Sequence, residues 1–180
     1  MRIGLIGAGL QGKRRAPVFS QFPDAELVVV AAAHLPPAKA LADTVGCKAV
    51  VGWEPVVERD DLDVIVICTP TYLHARIAIA ALNKGVHILC EKPLASKVQD
   101  AQDMVAAAES GGAILKCGFN HRHHPGIRQA REWFDAGEIG EPMFVRCRYG
   151  ICGRPGYAEE WRANPEQSGG GISWNREFME

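Results

Sequence analysis

Residues 7–12 read Gly-Ala-Gly-Leu-Gln-Gly, and no other stretch narrows the possible folds of this chain so far. A short apolar run, Ile3–Ile6, precedes the loop, and a helix is expected over Leu10–Phe22. A G-x-G-x-x-G spacing arises often by chance, but between a strand and a helix it has a physical purpose. Gly7 permits a tight turn. Gly9 removes the Cβ that would stand between the backbone and a pyrophosphate, and Gly12 lets the helix pack closely on the strand. The uncovered N–H groups and positive end of the helix then face the phosphates. Gly7, Gly9, Leu10, Gln11 and Gly12 are therefore expected to bind a dinucleotide.

The remainder of residues 1–120 fits that start. Further strands are expected at Leu27–Ala31, Ala49–Val51, Val64–Cys68, His87–Cys90 and Ile114–Gly118. Helices are expected between them, at Pro37–Val45, Pro55–Arg59, Leu73–Lys84 and Val98–Ser110. The runs Leu27–Val30 and Val64–Ile67 are apolar on both faces, as a parallel sheet covered on both sides requires. Strand–helix alternation predicts an α/β, doubly wound parallel sheet of the Rossmann type. From about residue 121 to 180 the pattern changes to an incomplete α+β second domain. It holds a helix near Gly126–Ala136, a strand over Pro142–Tyr149 and an irregular Gly- and Pro-rich stretch from Gly150.

Composition excludes several function classes. With 47% hydrophobic and 23% charged residues among 180, and a net charge of −1, nothing favours nucleic acid or a membrane surface as partner. No apolar run has the length of a membrane span. The six cysteines, at 47, 68, 90, 117, 147 and 152, form no C-x-x-C pair and several sit in apolar runs. A reduced, cytoplasmic protein is expected.

The end of the second strand should carry an acid if the dinucleotide is NAD, to bind the ribose 2′-hydroxyl. This chain reads Ala31-Ala32-Ala33-His34 there. His34 could face a 2′-phosphate, which tilts the expectation toward NADP; a solvated loop histidine is the alternative. Two further clusters end strands on the same edge: Cys68-Thr69-Pro70-Thr71-Tyr72-Leu73-His74 and Cys90-Glu91-Lys92-Pro93. In an open α/β sheet, ligands bind beyond the carboxyl ends of the strands.

The glycine loop, Thr69-Pro70 with His74, Glu91-Lys92-Pro93, and Gly118-Phe119-Asn120 through Pro125 occur in an order that resembles the Gfo/Idh/MocA oxidoreductases. The resemblance covers about residues 1–170. It implies an NAD- or NADP-dependent dehydrogenase or reductase acting on a sugar or polyol by hydride transfer, homo-oligomeric in its full-length form. It further implies that Thr69, Pro70 and His74 line the ribose and nicotinamide side of the cofactor, and that Glu91 lies near the nicotinamide ribose. Lys92 would face the reacting hydroxyl as the catalytic group, and Arg122, Trp161 and Arg162 would contact substrate. An ammonium such as Lys92 can stabilise charge on the substrate oxygen or relay its proton.

His121, His123 and His124 have a spacing that tempts a zinc assignment, but no third ligand is evident beside them and no metal is expected. Cys68 and Cys90 read as packing residues rather than nucleophiles. After the Ser-Gly-Gly run the family pattern continues with an aliphatic residue, an acid, a glycine and a histidine that usually serves as general acid/base. Here the chain reads Ile172-Ser173-Trp174-Asn175-Arg176 instead. Codons for residues 171–180 can, in a neighbouring frame, encode Gly-His-Leu-Met-Glu-Gln-Gly-Ile-His-Gly. An out-of-frame tail from about Gly171, a C-terminally truncated protein and lost catalysis are the resulting expectations. A non-catalytic nucleotide-binding module is the alternative from another class, and an NAD-assisted glycosidase ranks last.

Overall fold

The computed structural model describes residues 1–146, 156 and 159–168, the side chains of residues 162, 165 and 166 excepted. Its centre is one six-stranded parallel sheet in the order β3-β2-β1-β4-β5-β6. The strands are β1 (Arg2–Ile6), β2 (Glu26–Ala32), β3 (Lys48–Val51), β4 (Val64–Ile67), β5 (His87–Cys90) and β6 (Leu115–Cys117). The helices α1 (Leu10–Phe19), α2 (Leu35–Val45), α3 (Glu54–Val57), α4 (His74–Leu82) and α5 (Val98–Ser110) form the crossovers. The expected doubly wound architecture is the one found.

Strand alternation divides the core in two. Ile3 and Leu5 of β1, with Val30 and Val66, pack against Ala16 of α1 and Leu41 and Ala42 of α2. Ile65, Ile67 and Ile88 pack on the other face, against Val56 of α3, Ile77, Ala81 and Leu82 of α4, and Met104 of α5. The register Ile3↔Val64 through Ile6↔Ile67 puts the carboxyl ends of β1 and β4 level, so the loops that leave them emerge side by side.

Helix ends differ modestly from expectation. α1 stops at Phe19 rather than Phe22, its cap on Ser20 followed by turns at Gln21 and Phe22. Phe22 precedes Pro23, and a residue before proline is pushed out of the helical region. α4 starts one residue late because Thr71–Leu73 first form a 3-10 turn.

Beyond β6 come a 3-10 turn at Asn120–His123, α6 (Pro125–Asp135) and, further on, α7 (Pro165–Ser168). Every residue from Phe119 to Arg146 is exposed. The strand expected over Pro142–Tyr149 is not found in its described part: residues 142–146 pair with no other strand. An alternating pattern becomes a strand only when a neighbouring strand takes up its N–H and C=O groups, and the described residues supply none here. Residues 147–149 and the tail from Gly171 lie outside the described residues.

Candidate functional site

The strands deliver their loops to one edge, and those loops surround a cavity of about 810 Å³, well within the size range of small-molecule sites. Its walls are the glycine loop through Gln11, Ala32–His34 after β2, Gly52–Trp53 after β3, Cys68–Leu73 after β4 and Glu91–Pro93 after β5.

The three glycines have separate structural reasons. Gly7 has φ +112°, and a Cβ there would lie 2.5 Å from the Cys68 carbonyl. A Cβ on Gly12 would lie 2.0 Å from the Gly7 oxygen. Both positions therefore hold β1, α1 and β4 in contact. A Cβ on Gly9 would meet nothing within 4 Å; it would occupy the mouth of the cavity instead. Gly9 is also the N-cap of α1, with no side-chain cap and no acid in the first turn. An uncapped helix start facing an open space accepts an anion readily.

Two buried hydroxyl oxygens, Thr69 Oγ1 and Ser168 Oγ, have no hydrogen-bond partner among the described residues, and both residues line the cavity. Buried polar atoms without partners cost stability unless a ligand or water satisfies them. An uncapped helix start, a missing Cβ and two spare hydroxyls are what a large polar ligand carrying phosphates and riboses requires.

At the β5 end, Glu91 is buried and receives Arg15 of α1. Arg15 Nε donates to Glu91 Oε1 at 2.5 Å, its Nη2 donates to the same oxygen, and Nη2 also reaches Asn120 Oδ1 at 3.3 Å. This one guanidinium ties α1 to the loops after β5 and β6. Lys92 is exposed and lines the cavity; the Lys92–Pro93 bond is cis. Cys68 lines the same wall. Burial pushes its thiol up to about 12, with the Glu91 carboxylate adding and Arg15 opposing. Burial raises the Cys90 thiol as well. Neither is a thiolate at neutral pH, in keeping with packing roles.

Of the residues singled out from sequence, Gly7, Gly9, Leu10, Gln11, His34, Thr69, Pro70, Glu91, Lys92 and Trp161 all line the cavity. Gly12 lies just beneath it. His74 does not line it, contrary to expectation. It is 1% exposed, with Nδ1 2.9 Å from the Pro93 oxygen and Nε2 3.0 Å from the Thr69 oxygen. Its place is under the wall, clamping two loops to each other. Arg122 is also absent from the lining: the 3-10 turn that carries it is exposed to solvent. The side chain of Arg162 lies outside the described residues.

Arg15, Trp53 and Ser168 escaped sequence reasoning. Trp53 follows β3 at the same carboxyl edge, so the rule that found the other loops would have found it. Arg15 and Ser168 had no such signal, since only the folded chain shows Arg15 reaching β5 and α7 packing on the Thr71–Leu73 turn. Among the described residues no group of His, Cys, Asp and Glu could hold a metal ion. His124 instead caps α6, its Nδ1 accepting from the Gly126 N–H at 3.2 Å. No helix among the described residues is long and apolar enough to cross a membrane.

Comparison with known proteins gives a consistent picture. Residues 1–119 match the model of an oxidoreductase family with an NAD-binding Rossmann fold, GFO_IDH_MocA, and residues 127–175 match a GFO/IDH/MocA C-terminal domain. The chain is 33% identical over 173 residues to a dTDP-3,4-didehydro-2,6-dideoxy-alpha-D-glucose 3-reductase of Streptomyces violaceoruber, covering 96% of this chain and 50% of that protein. It is 37% identical over 145 residues to an inositol 2-dehydrogenase of Rhizobium meliloti, covering 81% and 44%. The crystal structure of a 3-ketoreductase from Actinomadura kijaniata, in complex with NADP and TDP-benzene, superposes with a TM-score of 0.72 at 34% identity, over 78% of this chain and 44% of that one. The chain thus spans about half the length of the curated relatives it matches. Motif order, sheet topology and these matches agree: the chain belongs to the Gfo/Idh/MocA oxidoreductases.

Proposed function

We propose that the cavity binds NAD or NADP and that the protein is an oxidoreductase of sugars or polyols. The observation that carries this reading is the open space over Gly9 in the same cavity as the Lys92 ammonium. Gly7, Gly9, Leu10, Gln11 and Gly12 would hold the phosphates, with Thr69 and Pro70 against a ribose. Bound there, the nicotinamide supplies or takes up a hydride.

The chain's own residues account for the rest. Lys92 places a positive charge where a substrate alkoxide develops and can hold or return its proton. Glu91, fixed by Arg15, anchors the backbone from which Lys92 projects. His74 holds Thr69 and Pro93 in register. Trp161 and Ser168 line the same cavity, α7 packing on the Thr71–Leu73 turn, and help exclude water. Domain division near residue 120, a substrate contact for Arg162, a homo-oligomer for longer forms and a reducing cytoplasm, consistent with the free thiols of Cys47, Cys68, Cys90 and Cys117, belong to the same proposal.

At Ile172 to Glu180, after the Ser-Gly-Gly run where the resemblance places the family's histidine, this stretch carries none. Loss of a proton-transfer residue costs about 10²–10⁴-fold in rate. The 180-residue chain is therefore expected to bind NAD(P)H with negligible turnover. Titrating the purified chain into NADH and NADPH and following cofactor fluorescence tests this. Saturable binding is expected, and its absence for both forms would refute the reading.

A further inference from the structure

The dinucleotide reading leaves open which form of the cofactor is used, and the corner between β2 and α2 bears on that. We infer that the site takes the dinucleotide with and without a 2′-phosphate at comparable affinity, because this corner neither repels that phosphate nor captures it. The inference rests on the proposed dinucleotide site.

Nothing at the corner repels the group. Ala32, Ala33 and His34 line the cavity after β2, where a carboxylate would accept from a 2′-hydroxyl and exclude a phosphate. Among the described residues the sole carboxylate lining the cavity is Glu91, at the β5 end and already paired with Arg15. Glu54, beyond β3, does not line it; its Oε2 accepts from its own neighbour, the Trp53 N–H, at 3.1 Å.

Among the described residues, nothing at the corner captures the group either. His34 is the N-cap of α2, Leu35 is its first residue, and Pro36 and Pro37 follow. A helix start ordinarily offers four free N–H groups to an anion. Two prolines here remove half of them, since proline has no N–H. Lys39, one turn into α2, is directed away from the mouth: its Nζ lies 3.0 and 3.1 Å from the oxygens of Asp43, a further turn toward the carboxyl end. That leaves the His34 imidazole, which cannot make the bidentate contact by which a guanidinium selects phosphate. The tilt toward NADP suggested by His34 alone is thus offset by the two prolines behind it.

Parallel fluorescence titrations of the full 180-residue chain with NADH and NADPH test the inference. The two Kd values are expected to agree within about tenfold, and a larger ratio in either direction overturns it. Ala33→Asp supplies the missing acid and is expected to weaken NADPH by at least about tenfold while NADH tightens through the new contact to its 2′-hydroxyl. An unchanged NADPH Kd in that variant would show that the corner does not face the 2′-position, and the inference would fall while dinucleotide binding stood. Loss of both signals in the unaltered chain overturns the dinucleotide reading and this inference with it.

Discussion

Two glycines of one loop make opposite demands on the residue that replaces them. Gly9 sits at φ −78°, which alanine adopts freely, and its missing Cβ faces empty space. Gly9→Ala should change folding stability by no more than about 1 kcal/mol, the entropy gain in the unfolded chain and the poorer alanine N-cap opposing each other, yet weaken NADH by about 1.4 kcal/mol, or tenfold. Gly12→Ala drives a Cβ into the Gly7 oxygen and should cost about 1–3 kcal/mol of stability. Urea midpoints beside cofactor titrations distinguish the two; parallel losses in both readouts would contradict the assignment. Arg15 supports a second residue-scale prediction. Its partner Glu91 is 8% exposed at the side chain, so Arg15→Ala strands a buried carboxylate and should cost about 3 kcal/mol. Glu91→Gln, which keeps an acceptor for the guanidinium, should cost less. An Arg15→Ala variant as stable as the parent in urea would show that the pair contributes nothing. The positions of Gly7, Gly9, Glu91 and Lys92 at the cavity edge could be read in advance because each follows a strand in a recognisable local string. Arg15 could not, because its partner lies 76 positions away and no periodicity announces it.

At the scale of elements, the strand ends carry the titration behaviour. Cys68 directly follows β4 and Cys90 ends β5, both raised by burial. An unfolded thiol titrates near pH 8.5, whereas Cys68 in the folded chain holds its proton to about pH 12. Between those values the folded state binds more protons than the unfolded one, so stability falls as pH rises. The slope approaches about 1.4 kcal/mol per pH unit for each such thiol. Urea unfolding at pH 8, 9 and 10 should show that decline, and Cys68→Ala should flatten it. A stability flat across that range would contradict the burial argument. Sequence foresaw these elements well where apolar residues run together, as in β2 and β4, or recur at helical spacing, as at Met104, Ala107 and Ala108 of α5. It erred where an element depends on something distant. Residues 142–146, the described part of a run that alternates like a strand, find no neighbour among the described residues, and α4 yields its first expected residue, Leu73, to a 3-10 turn that Pro70 precedes.

Across the whole molecule, burial is uneven. The sheet and its five crossover helices enclose both cores, while α6 and the segment to Arg146 present Ile127, Trp133, Phe134, Ile139 and Met143 to solvent. Backbone hydrogen bonds without apolar cover open at little cost. Hydrogen exchange should therefore run through local opening in α6, well ahead of β1 and β4. Equal protection of all three would mean that α6 is covered in solution, by a second copy or another part of the chain. The sheet order has one more consequence, for synthesis. β1 is made before the other five strands of the sheet, yet it lies between β2 and β4. Its second neighbour is complete only when Ile67 has been made, some sixty residues later. Until then the growing polypeptide carries an apolar ribbon, Ile3 to Ile6, with one side unmatched and open to wrong pairing.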